Sequence, residues 1–154
     1  MVNPAVPAPA PLLVGWRERL DFPDWGINGV IAKVDTGATS SALDVESCEL
    51  TTGSDGRVLA HIRLALDRPL STQGRLVEAP VVRTTVVKNT AGMRERRPVI
   101  EVSVRLGSSL KRIQMTLTNR SSMTFRVILG REALRNDFIV DVSKEFLLSA
   151  QEVG

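Results

Sequence analysis

Cysteine and histidine are nearly missing from this chain, which has one of each, Cys48 and His61. One cysteine cannot form a disulfide within the chain. Together with one histidine it falls short of the three or four converging ligands of a zinc site and makes no convincing Cys/His nucleophile pair. There is also no His-Glu-x-x-His pair, and no glycine-rich loop leading into Lys-Ser or Lys-Thr after a strand. No metal, no ATP site and no other cofactor are therefore expected, and Cys48 is read as a structural residue. Aromatic residues, at 4%, leave few platforms for stacking nucleobases. No apolar run approaches the length needed to span a bilayer, so no membrane partner is expected. The N-terminal MVNPAVPAPAPLL has no charged region before its apolar residues and is broken by proline, unlike a secretory signal. The expected compartment is cytoplasmic and reducing.

The 154 residues present suit one domain, and a hydrophobic share of 43% with 24% charged residues is ordinary for a globular core. The net charge is +3, with basic residues gathered at Arg94-Glu95-Arg96-Arg97 and Lys111-Arg112. Such a balance favours acidic partners, but the excess is small. A solvated basic face is the simpler reading, and no nucleic-acid partner is expected.

Residues 1–11, rich in proline and alanine, are expected to form a mobile arm, and residues 12–150 one folded domain. Strands are expected at Leu12 to Trp16, Ile27 to Val34, Thr39 to Leu43, Arg57 to Leu66, Val81 to Val87, Val99 to Leu106, Lys111 to Thr118 and Phe125 to Leu129. The polar Arg17-Glu18-Arg19 follows the first strand, the stretch Asp21 to Asp24 reads as loop, and so does Leu66 to Gly74. His61 falls on the exposed parity, and Trp16 and Trp25 read as packing residues. Lys88 to Met93 is a polar hairpin tip, with Asn89 and Gly92 available for positive φ. Arg131 to Arg135 is expected to form one short turn of helix. Phe138 to Val142 and Phe146 to Ser149 read as a closing strand pair, turned at Ser143-Lys144-Glu145. No repeat and no long helix is found, so the expected class is all-β, a compact barrel or sandwich.

One hexapeptide, Val34-Asp35-Thr36-Gly37-Ala38-Thr39, stands at the end of an apolar strand. A carboxylate followed by a hydroxyl and a glycine suits acid-base catalysis. It also suits an ordinary turn, since Asp can bond the backbone ahead of it and Gly can take positive φ.

IAKVDTGATSSAL near the start and FRVILGREAL near the end together resemble the retropepsin-like aspartic peptidases. More closely, the span from VGWRERLDFPDWGI to FIVDVSKEFLLS resembles a bacterial branch that has carried the label ATP-dependent zinc protease and is linked with ATP-grasp ligases that modify ribosomal proteins. Neither zinc nor ATP finds a site in these residues. The resemblance implies an acid-protease barrel with one short helix after a ψ-shaped loop strand, and a hydrolase acting on a peptide or protein. It implies Asp35 as the catalytic group, with Thr36, Gly37 and Ala38 supporting the active-site loop. Ile128, Leu129, Gly130 and Arg131 would form the ψ-loop, and Asn89, Thr90, Ala91, Gly92 and Met93 a substrate-covering flap. Read from residue pattern alone, Ile128 and Leu129 are core and the flap is an exposed hairpin.

Hydrolysis by this class needs two carboxylates facing one water and sharing one proton. Only one Asp-Thr-Gly is present, so the expected partner is a second copy, a two-fold homodimer with Asp35 and its mate as the dyad. Two positions depart from the family. Thr39 replaces the residue that pairs with the arginine after the ψ-loop glycine, leaving Arg131 to find another partner. Asp44 stands where relatives often carry histidine. Two other functions stay open beside endopeptidase action: trimming of acidic, polyglutamate-type tails, for which Arg94, Arg96 and Arg97 flank the flap, and peptide binding without catalysis.

Overall fold

A computed structural model describes residues 10–66, 74–88, 91–119 and 124–148. Residues 1–9 of the expected arm, most of the expected loop from Leu66 to Gly74, Asn89 and Thr90 of the expected flap, and Ser149 lie outside them. The elements are β1 (Leu12–Val14), β2 (Arg17–Phe22), a 3-10 turn (Pro23–Trp25), β3 (Ile27–Val34), β4 (Ser41–Thr52), β5 (Val58–Leu64), β6 (Leu76–Lys88), β7 (Arg94–Leu106), β8 (Ser109–Thr118), β9 (Val127–Leu129), α1 (Arg131–Leu134) and β10 (Phe138–Val140). The expected all-β architecture with one short helix after β9 is the one that forms.

Eight strands make one sheet in the order β2-β3-β9-β4-β5-β6-β7-β8. Further pairings, β4 with β8 and β2 with β7, curl it back on itself into a barrel. The inward parity of the strands is mostly apolar, with Glu18 on β2 and Ser41 on β4 among the buried polar residues. Phe22, Ile27, Ala32, Leu43, Ile100 and Leu129 are all fully buried, each large one contributing about 2 kcal/mol by leaving water. Trp25 stacks on Phe22 with centroids 4.9 Å apart, and its indole N–H donates to the Glu78 carbonyl at 2.9 Å. Among the described residues no helix is long and apolar enough to cross a membrane.

Several expected boundaries move. Arg17-Glu18-Arg19 belongs to strand β2, because Glu18, Leu20 and Phe22 alternate inward and the buried carboxylate hides that pattern in the sequence. The return strand after the Asp-Thr-Gly loop runs twelve residues, Ser41–Thr52, and its charged second half pairs with β5 rather than ending at Leu43. Strands β6 and β7 extend to Lys88 and from Arg94, which pair across the expected hairpin tip, so the basic run Arg94 to Arg97 is strand. His61 is half-buried, its ring bonded to the Thr51 hydroxyl at 2.8 Å and 3.3 Å from Glu78.

The expected closing strand pair does not form. Strand β10 pairs in parallel with β1, Leu12 to Phe138 through Val14 to Val140. Phe146 takes φ +52, incompatible with a regular strand. Instead, the segment is fixed by the buried Glu18 carboxylate, which accepts the amide N–H groups of Gly15 (2.7 Å), Leu147 (2.9 Å) and Leu148 (3.2 Å). A side chain on Gly15 would collide with the Lys144 carbonyl, 2.3 Å from an added Cβ, so glycine lets the two segments meet.

Candidate active site

Strand β3 delivers Asp35, and β9 lies between β3 and β4. It runs parallel to β3 (Ala32 with Val127, Lys33 with Ile128, Val34 with Leu129) and antiparallel to β4 (Ala42 with Ile128, Leu43 with Val127). This is a ψ-shaped crossing, and it brings the two distant segments singled out in the sequence to one point. The Asp35 amide donates to the Leu129 carbonyl at 2.8 Å. Gly130 passes so close behind the loop that an added Cβ would lie 2.4 Å from the Ser40 carbonyl oxygen and 3.0 Å from that of Ala38. Any larger residue would push the crossing apart.

Thr39 and Arg131 solve the pairing problem together. The Arg131 guanidinium donates to the Thr39 hydroxyl at 2.9 Å and the Thr36 carbonyl at 3.0 Å. The Arg131 and Glu132 amides donate to the carbonyls of Ala38 (2.8 Å) and Thr39 (3.0 Å). The Thr39 hydroxyl thus serves as partner to Arg131, and the loop is held by four bonds from the start of α1. Ser41, which no sequence motif singles out, is buried and accepts the Gly130 amide at 3.0 Å. Its one signal is a lone hydroxyl at an inward position of an apolar strand.

The carboxylate is lightly held. Asp35 Oδ1 accepts the Gly37 amide at 3.0 Å, and Oδ2 has no partner among the described residues. Gly37 does not take positive φ. The loop is also an ordinary turn, with the Ala38 amide donating to the Asp35 carbonyl at 3.2 Å, and an added Cβ on Gly37 would stand 3.2 Å from Asp35 Oδ1, so glycine leaves room beside the carboxylate. The Thr36 hydroxyl is exposed and also unbonded among the described residues. Ala38 and Ile128 are half-buried beside the loop, whereas Leu129 is wholly buried and packs in the core. Of the expected flap, Ala91, Gly92 and Met93 stand exposed at the β6–β7 tip, Gly92 with φ +77.

A profile described as the retropepsin-like aspartic endopeptidase RimB, of the RimB-like type, matches residues 13–151. The chain belongs to the RimB-like family. Curated proteins similar to this RimB-like chain are named probable alpha-L-glutamate ligase. The one from Desulfotalea psychrophila is 33% identical over 132 residues, covering 84% of this chain and 28% of its own length. The one from Shewanella pealeana is 32% identical over 139 residues, covering 88% and 30%. The chain therefore spans less than a third of these relatives. A crystal structure of a Legionella pneumophila protein of unknown function shares the fold, with a TM-score of 0.76 at 23% identity over 90% of this chain and 99% of that one.

Two other titratable groups do not serve as free nucleophiles or bases. Asp44 is buried and ion-paired with Arg126, whose carbonyl accepts the Asp44 amide at 2.8 Å. Burial, and secondarily the charge of Glu49, pushes the Cys48 thiol pKa up. The thiol therefore stays protonated at neutral pH and is a poor nucleophile.

Proposed function

We propose that this chain is an aspartic endopeptidase in which Asp35 and the same residue of a second copy activate one water against a peptide carbonyl. The observation that carries the reading is a rigidly braced loop that presents a carboxylate with one oxygen unbonded among the described residues. In such a pair one carboxylate accepts the proton of the water while the other donates to the carbonyl oxygen, and both titrate as a unit. The flap tip at Ala91, Gly92 and Met93, together with Asn89 and Thr90, would cover an extended substrate and exclude water.

Homodimer formation follows from the need for a second carboxylate. The free Thr36 hydroxyl would bond across the two-fold axis. Near the loop, Trp16 accepts the Val34 amide at 2.8 Å, and β1 immediately before it pairs with β10 just after α1. Leu13 and Ile139, side by side in that pairing, and Val142 are exposed at 43%, 56% and 73%. A second copy would cover this apolar strip.

The test is cleavage of a mixed peptide library from acidic to neutral pH, with Asp35→Asn beside the native chain. Cleavage by the native chain alone supports the reading, and equal cleavage by both overturns it. A strict monomer that binds peptide without cutting it would establish the binding-module alternative instead. Trimming of acidic tails is a narrower form of the same activity. It is favoured by the exposed Arg94 and Arg96 on the flap strand and by the glutamate-ligase names of the similar curated proteins. Arg97 contributes less, being bonded to Glu95.

A further inference from the structure

The register that places β9 between β3 and β4 also decides which side chains share a face with Asp35. Along β3, Val30, Ala32 and Val34 point into the core, so Ile31, Lys33 and Asp35 point the other way. Across the sheet, Arg17, Lys33, Ile128 and Ala42 form one row, and Arg19 stands beside Ile31. Arg126 lies two residues before Ile128 on the same face. The face beside the candidate catalytic group thus mixes apolar Ile31, Ile128 and Ala42 with four basic side chains.

Three of these cations are already engaged. Arg17 pairs with Glu145 at 2.9 Å and lies over the rings of Trp16 and Phe146, at 4.8 and 4.9 Å from their centroids. Arg19 lies 5.1 Å from the Phe146 centroid. Arg126 holds the buried Asp44. Lys33 alone is exposed and has no ion-pair, hydrogen-bond or ring partner among the described residues.

We propose that Lys33 is a specificity-determining residue, reading an acidic side chain of the substrate next to the scissile bond. The inference rests on the peptidase reading of Asp35. Lys33 lies on β3 two residues before Asp35, which directly follows the strand, so their Cα atoms stand about 7 Å apart. An extended peptide repeats its side chains on one face at the same interval, so a substrate running along β3 with its scissile bond over Asp35 would set a neighbouring side chain over Lys33. The four-carbon stem lets the ammonium follow a carboxylate of either length, Asp or Glu.

The experiment uses a neutral decapeptide in which a single Glu, or its isostere Gln, is stepped through the positions. Cleavage is measured with the native chain, Lys33→Met, Lys33→Glu and Lys33→Arg. Binding of the same peptides is measured in the Asp35→Asn background, with and without Lys33→Met. At the position over Lys33, kcat/KM and affinity are expected to favour Glu over Gln by about tenfold, the size of a partly desolvated charge-assisted contact. That ratio should fall to about one in Lys33→Met, invert in Lys33→Glu and persist in Lys33→Arg. A Glu/Gln ratio unchanged by Lys33→Met overturns the proposal. So does an equal loss on both peptides with a shifted pH profile, which would place the charge on the catalytic carboxylates rather than the substrate. If the native chain cuts no peptide, the peptidase reading of Asp35 fails, and the binding ratio in the Asp35→Asn background still decides the role of Lys33.

Discussion

Two carboxylates of this barrel sit on neighbouring strands and are treated in opposite ways. Glu18 on β2 is fully buried and accepts three backbone N–H groups that join the start of the chain to residues 147 and 148. Asp35, after β3, is half-buried and accepts one, leaving Oδ2 free among the described residues. A carboxylate offers about four acceptor sites. Where nearly all are filled by fixed amides, the group is a structural clamp with nothing left for a ligand. Where most are open and only the backbone around it is fixed, the group is available for chemistry. The rigidity lies in the carrier loop, through Gly130, Arg131 and Ser41, and the freedom lies in the carboxylate.

Mutation breaks this contrast in opposite directions. Asp35→Asn should lower kcat by about 10⁴-fold or more, the scale for losing a member of a catalytic unit, while circular dichroism and thermal midpoint stay near native. Glu18→Ala should do the reverse. With three buried donors orphaned, stability measured by urea unfolding should fall by about 4 kcal/mol, and cleavage per folded molecule should persist.

The glycines of the two candidate motifs sharpen the comparison. Gly130→Ala drives a Cβ into the Ser40 carbonyl at 2.4 Å and should cost about 3 kcal/mol by overpacking. Gly37→Ala meets only Asp35 Oδ1 at 3.2 Å. It should cost about 1 kcal/mol or less, with the larger effect on activity because the carboxylate is displaced.

Both glycines are picked out through likeness to a family, since residue pattern alone reads Asp-Thr-Gly equally as a turn and Ile-Leu-Gly as the end of a core strand, whereas the intervening hairpins are written in strict alternation, as at Val102, Val104, Leu106, Ile113, Met115 and Leu117. Glu18, Asp44 and Ser41 are not legible, because a buried polar residue looks like a solvent position until its partner is known, and the partners lie up to 130 residues away. The same blindness hides β2 and shortens β4. The closing segment misleads for a related reason. Phe146, Leu147 and Leu148 are apolar enough for a strand, but three-dimensional contacts with Glu18 and Arg17 decide their backbone.

The smallest expected effect lies in that closing segment. Hydrogen bonds from the Ser143 hydroxyl and amide lower the Asp141 pKa. A lowered folded-state pKa contributes stability above the ordinary carboxylate value, and that contribution fades as pH falls through the folded-state one. Asp141→Asn should therefore melt slightly below the native chain at neutral pH, with the gap closing below about pH 4. A gap independent of pH would assign the effect to the turn geometry rather than the charge.

The central claim is that each chain supplies half of a catalytic pair. Native and Asp35→Asn chains, unfolded together and refolded as an equal mixture at constant total concentration, test it most directly. If the dyad is shared across a dimer, only native pairs cut, and cleavage falls to roughly a quarter of the all-native value. A fall to half would mean that each native chain acts alone, and would contradict the account.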